Sequence, residues 1–441
     1  MTQCTRQTLS FSRLKRQRIV ADFNGGRLTS DGGALLLREV DRHVGLTQAL
    51  ADCIADPRDP AKVKHDLRTL LAQRIFGIAL GYEDLNDHLT LRHDTLFAVL
   101  ADQRPDPDDP LASPSTLCRF ENAVPRASLA RMSEVFVDQF IQSYRRPPKE
   151  IALDFDATDD AVHGQQERRF FHGYYDHYCF LPLYVFCGDH LLAAYLRPSN
   201  IDPAKHARAI LKLLVQRIRR AWPKTRILFR GDSGFCRWKL LRWCERHNVD
   251  YVVGLARNKV LERLAEGYME TVEEAYEQTG RKQRRFYAIR YAAKTWDRQR
   301  RVIVKAERLQ QGPNCRFVVT NLKDRPRHVY DHRYTARGDM ENRIKEQQLD
   351  LFADRTSCHG FQSNQLRLLL ASAAYILIAH LRGMALADTE LAHAQAGTIR
   401  LKLFKVAARV VISVRRIVLH LCSTYPYMHL FRRIVARLVS N

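Results

Sequence analysis

The stretch "EIALDFDATDD" (Glu150–Asp160) decides the fold. Ile151, Leu153 and Phe155 alternate with Ala152, Asp154 and Asp156, the period of two expected of a strand buried on one side. Asp154 and Asp156 therefore stand on the face opposite Leu153 and Phe155. Downstream, "YCFLPLYVFCGDHLLAAYLRPS" (Tyr178–Ser199) reads as a hairpin turning near Gly188 and Asp189. "PAKHARAILKLLVQRIRRAWP" is an amphipathic helix, and "TRILFRGD" is an apolar strand ending on Asp232. "WKLLRWCERHN" is a second helix and "DYVVGLA" a further strand. Three antiparallel strands followed by helix, strand, helix, strand predict an α/β fold, a mixed sheet with helices on its faces.

Outward from this core the pattern changes. Residues 1–148 read as a mainly helical N-terminal region, a candidate for DNA binding, joined to the core through a linker at "YRRPPKE" (Tyr144–Glu150). Within it "SPSTLCRFENAV" opens a short helix with Arg119 in its middle. This is either the reading helix of a helix-turn-helix or an ordinary capped helix. The core occupies 149–257. Residues 258–330 hold three segments alternating basic and apolar residues, "RRFYAIRYAAKTW", "RRVIVKAERL" and "CRFVVTNL", and read as a β-rich insertion. The core resumes at 331–385, and 386–441 reads as a basic helical C-terminal region with no Asp or Glu after Glu390.

Hydrophobic residues make up 46% and charged residues 27% of the 441, an ordinary globular balance. The sign of the charge is less ordinary. Lys and Arg number 71 against 48 Asp and Glu, a formal +23, which argues for a polyanionic partner, most simply nucleic acid. No unbroken apolar run of about 20 residues and no signal-peptide pattern are evident, so no membrane partner and a cytoplasmic location are expected. Ten cysteines without a Cys-x-x-Cys pair predict reduced thiols rather than a zinc site or a disulfide framework.

Three carboxylates stand out by position. Asp156 ends the first strand of the mixed sheet, Asp232 ends the later apolar strand, and Glu341 lies on a helix after the insertion. Strand ends at one edge of an open sheet are where functional groups gather. Hard divalent cations take carboxylate oxygens, and two ions about 4 Å apart serve phosphodiester chemistry. In "HRYTARGDMENRIKEQQ" (His332–Gln348), Tyr334, Arg337 and Glu341 fall at i, i+3 and i+7, along one helix face. Asp154 shares its strand face with Asp156 and is the main rival for the first position. Asp at a strand end is also a common turn residue.

"LDFDATDD", "LFRGDSGF" and "YTARGDMENRIKE" resemble, in order, the three catalytic motifs of DDE transposases from bacterial insertion sequences. The third matches the branch in which Tyr, two residues, Arg, three residues, Glu and six residues precede a Lys. "FNGGRLTSDGGALLLREVDRHVGL" and "LGYEDLNDH" are similar to one group of these proteins, so the resemblance spans most of the chain. It implies a ribonuclease-H-like core, a β-rich insertion between the second Asp and the Glu, and Asp156, Asp232 and Glu341 as catalytic metal ligands for two Mg2+, with Mn2+ able to substitute. It implies Arg337 and Tyr334 as phosphate contacts, double-stranded DNA (terminal inverted repeats and target) as partner, a homodimer on that DNA, and a nucleoid-associated bacterial enzyme that cleaves and joins. The motif favours Asp156 over Asp154. Gln348 departs from it, standing where the Lys belongs, and Lys345, one turn earlier, is the candidate replacement. Trp296 in the insertion either stacks on a displaced DNA base, as in family insertions, or packs its own core. A metal-dependent nuclease that never joins, and a DNA-binding regulator with an idle site, are the competing expectations.

Overall fold

A computed structural model describes residues 8–439. The chain divides into two compact units, one made of residues 48–55 and 121–380, the other of 1–47, 56–120 and 381–441.

The first unit is built on an eight-stranded mixed sheet. Its strands are β1 (Glu150–Ala157), β2 (Leu183–Cys187), β3 (His190–Tyr195), β4 (Arg226–Gly231), β5 (Asp250–Leu255), β6 (Gln283–Tyr291), β7 (Arg300–Leu309) and β8 (Gly312–Thr320). Their order is β6-β7-β8-β5-β4-β1-β2-β3. β1, β4 and β5 run parallel, while β2 and β3 are antiparallel additions beside β1. The hairpin turns at Gly188, whose φ of 58° suits the left-handed corner.

The alternation of β1 sorts the two faces. Ile151, Leu153 and Phe155 enter a core shared with α1 (Arg126–Gln142), α2 (Ala207–Ala221), α3 (Trp238–Arg246) and α4 (Lys259–Thr279). Leu228, Val252, Ile303 and Val318 point the other way, onto Val329 and Tyr330. Tyr330 belongs to an irregular helical run from Pro326 to Asp350, which passes through π turns, a 3-10 turn and the regular α5 (Gly338–Lys345). Further along this second face lies α6 (Phe361–Leu381), whose Tyr375 ring meets Phe186 at 5.8 Å.

Asp154 and Arg230 fix the parallel pairing. They are register partners on β1 and β4. Both are buried, and the guanidinium grips the carboxylate through Nε at 2.5 Å and Nη2 at 2.6 Å. Its remaining Nη1 donates to the Arg333 carbonyl at 3.0 Å, tying the irregular helical run to the sheet.

The second unit starts with an exposed antiparallel hairpin, Leu9–Leu14 with Gln17–Ala21, and continues in helices such as Leu35–Val44 and Leu67–Ala79. The C-terminal residues return to it. Ala408–Ile412 pairs with Ile417–Leu421 on one side and with Leu28–Thr29 on the other. Gly33 makes that return possible, because a Cβ there would lie 1.7 Å from the Leu403 carbonyl oxygen.

Several expectations need correction. The N-terminal region is not helical at its start, because the alternating residues of "LSFSRLKRQRIVA" make a hairpin. The 258–330 segment opens with the long α4, which Asn258 caps by accepting from Val260 and Leu261 N–H at 3.1 Å. Its strands β6, β7 and β8 extend the central sheet through β8–β5 pairing. The C-terminal region contains strands as well as the helix Met428–Val439. "YRRPPKE" is no linker between units: Tyr144 packs edge-on against Phe140 and Trp222, each at 5.3 Å. By length and mean hydropathy Phe361–Leu386 could cross a membrane, although polar residues interrupt it, and 78% of its most apolar stretch is buried inside the protein. None of the nine described cysteines is in a disulfide, and Cys4 lies outside the described residues.

Removing one member of the Asp154–Arg230 pair leaves the other buried and uncompensated. Asp154→Ala is expected to cost about 3–5 kcal/mol, whereas the double change Asp154→Leu with Arg230→Met costs much less. Urea denaturation of both variants checks this. Equal losses would mean that charge compensation is not what the pair contributes.

Candidate functional site

Two residues beyond the Asp154–Arg230 row, on the same face, the strand ends bring Asp156 and Asp232 side by side. Gly231 pairs with Phe155, so Asp232 leaves the sheet level with Asp156. Asp232 caps the 3-10 turn Ser233–Phe235, its Oδ1 accepting from Gly234 N–H at 2.9 Å. Asp156 Oδ1 accepts from Ala157 N–H at 2.9 Å.

Arg337 joins this pair to Glu341. Its Nη1 lies 3.5 Å from Asp156 Oδ2 and its Nη2 lies 3.2 Å from Glu341 Oε1. Glu341 follows Arg337 by four residues, one turn along the helix, as the sequence spacing predicts. Burial pushes the Asp156 carboxyl up to about 6, against the pull of Arg337, and the neighbouring charges of Asp232 and Glu341 push it in the same direction. Glu341 stays open, with 52% of its side chain exposed.

Tyr334 completes the group. Its hydroxyl rests on β5 at Gly254, where an added Cβ would lie 2.7 Å from the phenol oxygen and 2.8 Å from Ser233 N. Burial raises the phenol's pKa, and the charges of Arg337, Asp232 and Glu341 all reach it. Asp156 and Asp232 thus stand side by side at one end of the sheet, Arg337 links Asp156 to Glu341, and the Tyr334 hydroxyl rests on β5 nearby. Asp154 does not join them, because Arg230 occupies both of its oxygens.

The remaining sequence candidates lie elsewhere. Trp296 is half-buried at the edge of the core, packed edge-on against Tyr291 at 5.6 Å with the Arg300 guanidinium over its ring at 5.4 Å. Arg119 is exposed and donates to Thr116, one turn back on helix Pro114–Ala123. Lys345 is exposed. Gln348, in the family's Lys position, donates at 3.0 Å to the Asp159 carbonyl and at 3.0 Å to the buried Asp160 carboxyl, bracing the chain just after Asp156. Sequence reasoning passed over Arg230 and Gly254. A charge inside an apolar strand and a glycine inside another were the available signals.

Among the described residues no three His, Cys, Asp or Glu side chains are close enough to hold a metal ion as they stand. The donor set nonetheless fits a hard cation. All three candidates are carboxylates, and the space between two of them is already held by a positive group, the Arg337 guanidinium.

Fold and site together define an α/β protein with a carboxylate centre at its strand ends. The family model described as "Transposase DDE domain group 1" matches residues 11–441, and the chain belongs to that family. No curated protein matches it. A solved structure to which it is similar, a piggyBac transposase synaptic complex with hairpin DNA determined by cryo-electron microscopy, shares 10% identity and a TM-score of 0.42, covering 86% of this chain and 80% of that one. So distant a likeness adds nothing to the family assignment.

Two predictions concern the site itself. Gly254→Ala presses on the Tyr334 phenol and on the Asp232–Ser233 backbone together, and a displacement of about 1 Å there is expected to lower turnover by on the order of a hundredfold. Circular dichroism should show the fold intact, and wild-type turnover would mean that this close packing of Tyr334 and the Asp232–Ser233 turn on β5 is immaterial. The second follows from Asp156, whose folded pKa, about 6, lies above its ordinary 3.8. The folded state then binds the proton more tightly than the unfolded one, so ionised Asp156 costs stability at neutral pH, by about 3 kcal/mol at most. That cost shrinks as pH falls through 6 and is gone below 3.8. In metal-free protein Asp156→Asn should raise Tm at neutral pH, with the gain fading on acidification. A gain that grows toward low pH would reverse the sign.

Proposed function

We propose that the chain is the transposase of a bacterial insertion sequence, cutting DNA at the ends of its own element and joining the freed 3′-hydroxyls to target DNA. The observation that carries this is the row of Asp156 beside Asp232 at the strand ends, with Arg337 bridging Asp156 to Glu341. The order β5-β4-β1-β2-β3, parallel on one side of β1 and antiparallel on the other, supports reading the core as ribonuclease-H-like.

In this reading Asp156, Asp232 and Glu341 would hold two Mg2+, or Mn2+. When bound, the ions would supply Lewis acidity toward the phosphodiester and its attacking and leaving oxygens. The chain's own residues do the rest. Arg337 offers charge-assisted hydrogen bonds to phosphate, and the Tyr334 hydroxyl offers one more from its seat on β5. Water attacks the phosphorus and the 3′-oxygen leaves as a hydroxyl. That hydroxyl then attacks a target phosphodiester, displacing its 3′-oxygen in turn. The +23 charge supplies the long-range attraction to DNA. Two ends must meet, so a homodimer on the DNA is part of the proposal, as is a bacterial cytoplasm in which the nucleoid is the target.

A nicking and strand-transfer assay in magnesium tests it, paired with a gel shift. Glu341→Gln is expected to abolish nicking while end binding persists, because binding rests on phosphate contacts made elsewhere. Arg337→Ala should weaken retention of the cleaved end. Nicking at the wild-type rate by Glu341→Gln would remove Glu341 from the site. Nicking without joining by the unaltered protein would make it a nuclease, and binding without nicking would make it a regulator.

A further inference from the structure

Gln348 follows Glu341 along the helical run, through α5 and the π turn Glu346–Asp350. The Glu341 carboxylate is held within the chain by Arg337, so the place of this acid is set by the run that bears it. That run is fastened on both sides of Glu341. Before it, Arg333 pairs with Glu150 at the start of β1, and Arg337 reaches Asp156. After it, Arg343 pairs at 2.5 Å with Asp189 in the turn between β2 and β3. The last tie is Gln348, whose Nε2 donates at 3.0 Å to the Asp159 carbonyl and at 3.0 Å to Asp160 Oδ1. The segment it grips is the direct continuation of β1 beyond Asp156. Thr158 N–H donates to the Pro182 carbonyl at 3.3 Å, and Asp160 pairs with Phe180, so this segment is itself fixed to its neighbours.

A primary amide has two N–H donors. Both are engaged here, which leaves none for a DNA phosphate. The partner explains the amide. Asp160 is fully buried, its Oδ2 has no hydrogen-bond partner among the described residues, and Gln348 supplies the bond to Oδ1. Burial holds the Asp160 carboxyl well above the usual carboxylate range. A neutral amide suits such a group, whereas the Lys of the family motif would bring a charge into a buried place.

We propose that Gln348 is a positioning residue of the acid centre. It ties the helical run bearing Glu341 to the chain behind Asp156, and so sets how far the third carboxylate stands from the first two, in place of the DNA contact a Lys would make there. Groups that hold metal ligands in place govern metal affinity although they never touch the ion. The inference rests on the reading of the three acids as metal ligands, and its test is separable from that reading.

The test on the full chain combines Mn2+ binding by electron paramagnetic resonance, hydrogen exchange in EDTA, and duplex-end affinity across a salt series. Gln348→Ala is expected to weaken Mn2+ binding by about tenfold. It should also speed exchange across Gly338–Lys345 while DNA affinity holds. Unchanged Mn2+ affinity, or weakened DNA binding with Mn2+ affinity intact, would overturn the proposal. Because Gln348→Ala also strands the buried Asp160, a second variant separates position from stability. Gln348→Leu combined with Asp160→Leu replaces both partners by apolar groups, which should return Tm toward that of the unaltered protein. Mn2+ binding should stay weak, and its recovery along with Tm would reduce Gln348 to a stabilising residue. Gln348→Lys puts an ammonium beside Asp160, so the salt dependence of DNA binding should not change. A log–log slope steeper by about one would mean that position 348 faces phosphate after all. If the unaltered protein binds no Mn2+, the metal reading of the acids falls and exchange alone decides the tie. Gln348→Ala with unchanged exchange across Gly338–Lys345 would then sink it.

Discussion

The grip of Arg230 on Asp154 is the constraint from which the site follows. A buried ion pair contributes little net stability against well-packed apolar residues, because desolvation offsets the attraction. What it contributes here is register. β1 and β4 are parallel and hydrophobic on one face, and apolar burial alone distinguishes poorly between alignments two residues apart, since such a slip returns the same side chains to the same face. A slip of that size would leave both charges buried and apart. The pair therefore fixes which rows meet, and the next row on that face is Asp156 beside Asp232. The third bond of the same guanidinium, to the Arg333 carbonyl, holds the neighbouring helical run where Tyr334 and Arg337 begin.

Around that fixed row the chain gathers like charges. Asp156 is buried with two carboxylates near it and one arginine to offset them. Such a group is destabilised in its ionised form, and perturbed carboxylates of this kind cluster at functional sites. The regular turn α5 and the irregular turns before it share the work of placement. The 3-10 segment Thr335–Arg337 follows a wider π segment, so the phenol reaches β5 while the guanidinium reaches the strand ends. Irregular turns within helices recur at functional sites for this kind of reason.

Much of this was legible in the sequence. The alternation in "EIALDFDA" gave β1 and its two faces, and the order of elements after it gave the mixed sheet. The i, i+3, i+7 spacing placed Tyr334, Arg337 and Glu341 together despite the irregular turns. What stayed hidden depended on partners distant in sequence. Whether Asp154 or Asp156 faced the acids hung on Arg230, 76 residues away from Asp154. The strands of 283–320 looked like a separate insertion because nothing local marks the edge of β5 as open to β8. The C-terminal strands were hidden by a basic composition compatible with helix, and their pairing with Leu28–Thr29 is invisible to any window along the chain. Trp296 among arginines read equally as a DNA contact or a core residue, and which neighbours its half-buried ring meets, Tyr291 and Arg300, no local window could show.

The pairing of Ala408–Ile412 with Leu28–Thr29 has a temporal consequence during synthesis on the ribosome. The unit made of 48–55 and 121–380 is fully translated while the other unit still lacks residues 381–441. Domains fold as units as the chain emerges, so the acid centre is complete while the N-terminal segment still waits for its last strands and helix. A nascent or prematurely terminated chain would therefore carry an assembled carboxylate centre without the finished companion unit. The order of translation itself thus staggers the maturation of the two halves of the molecule.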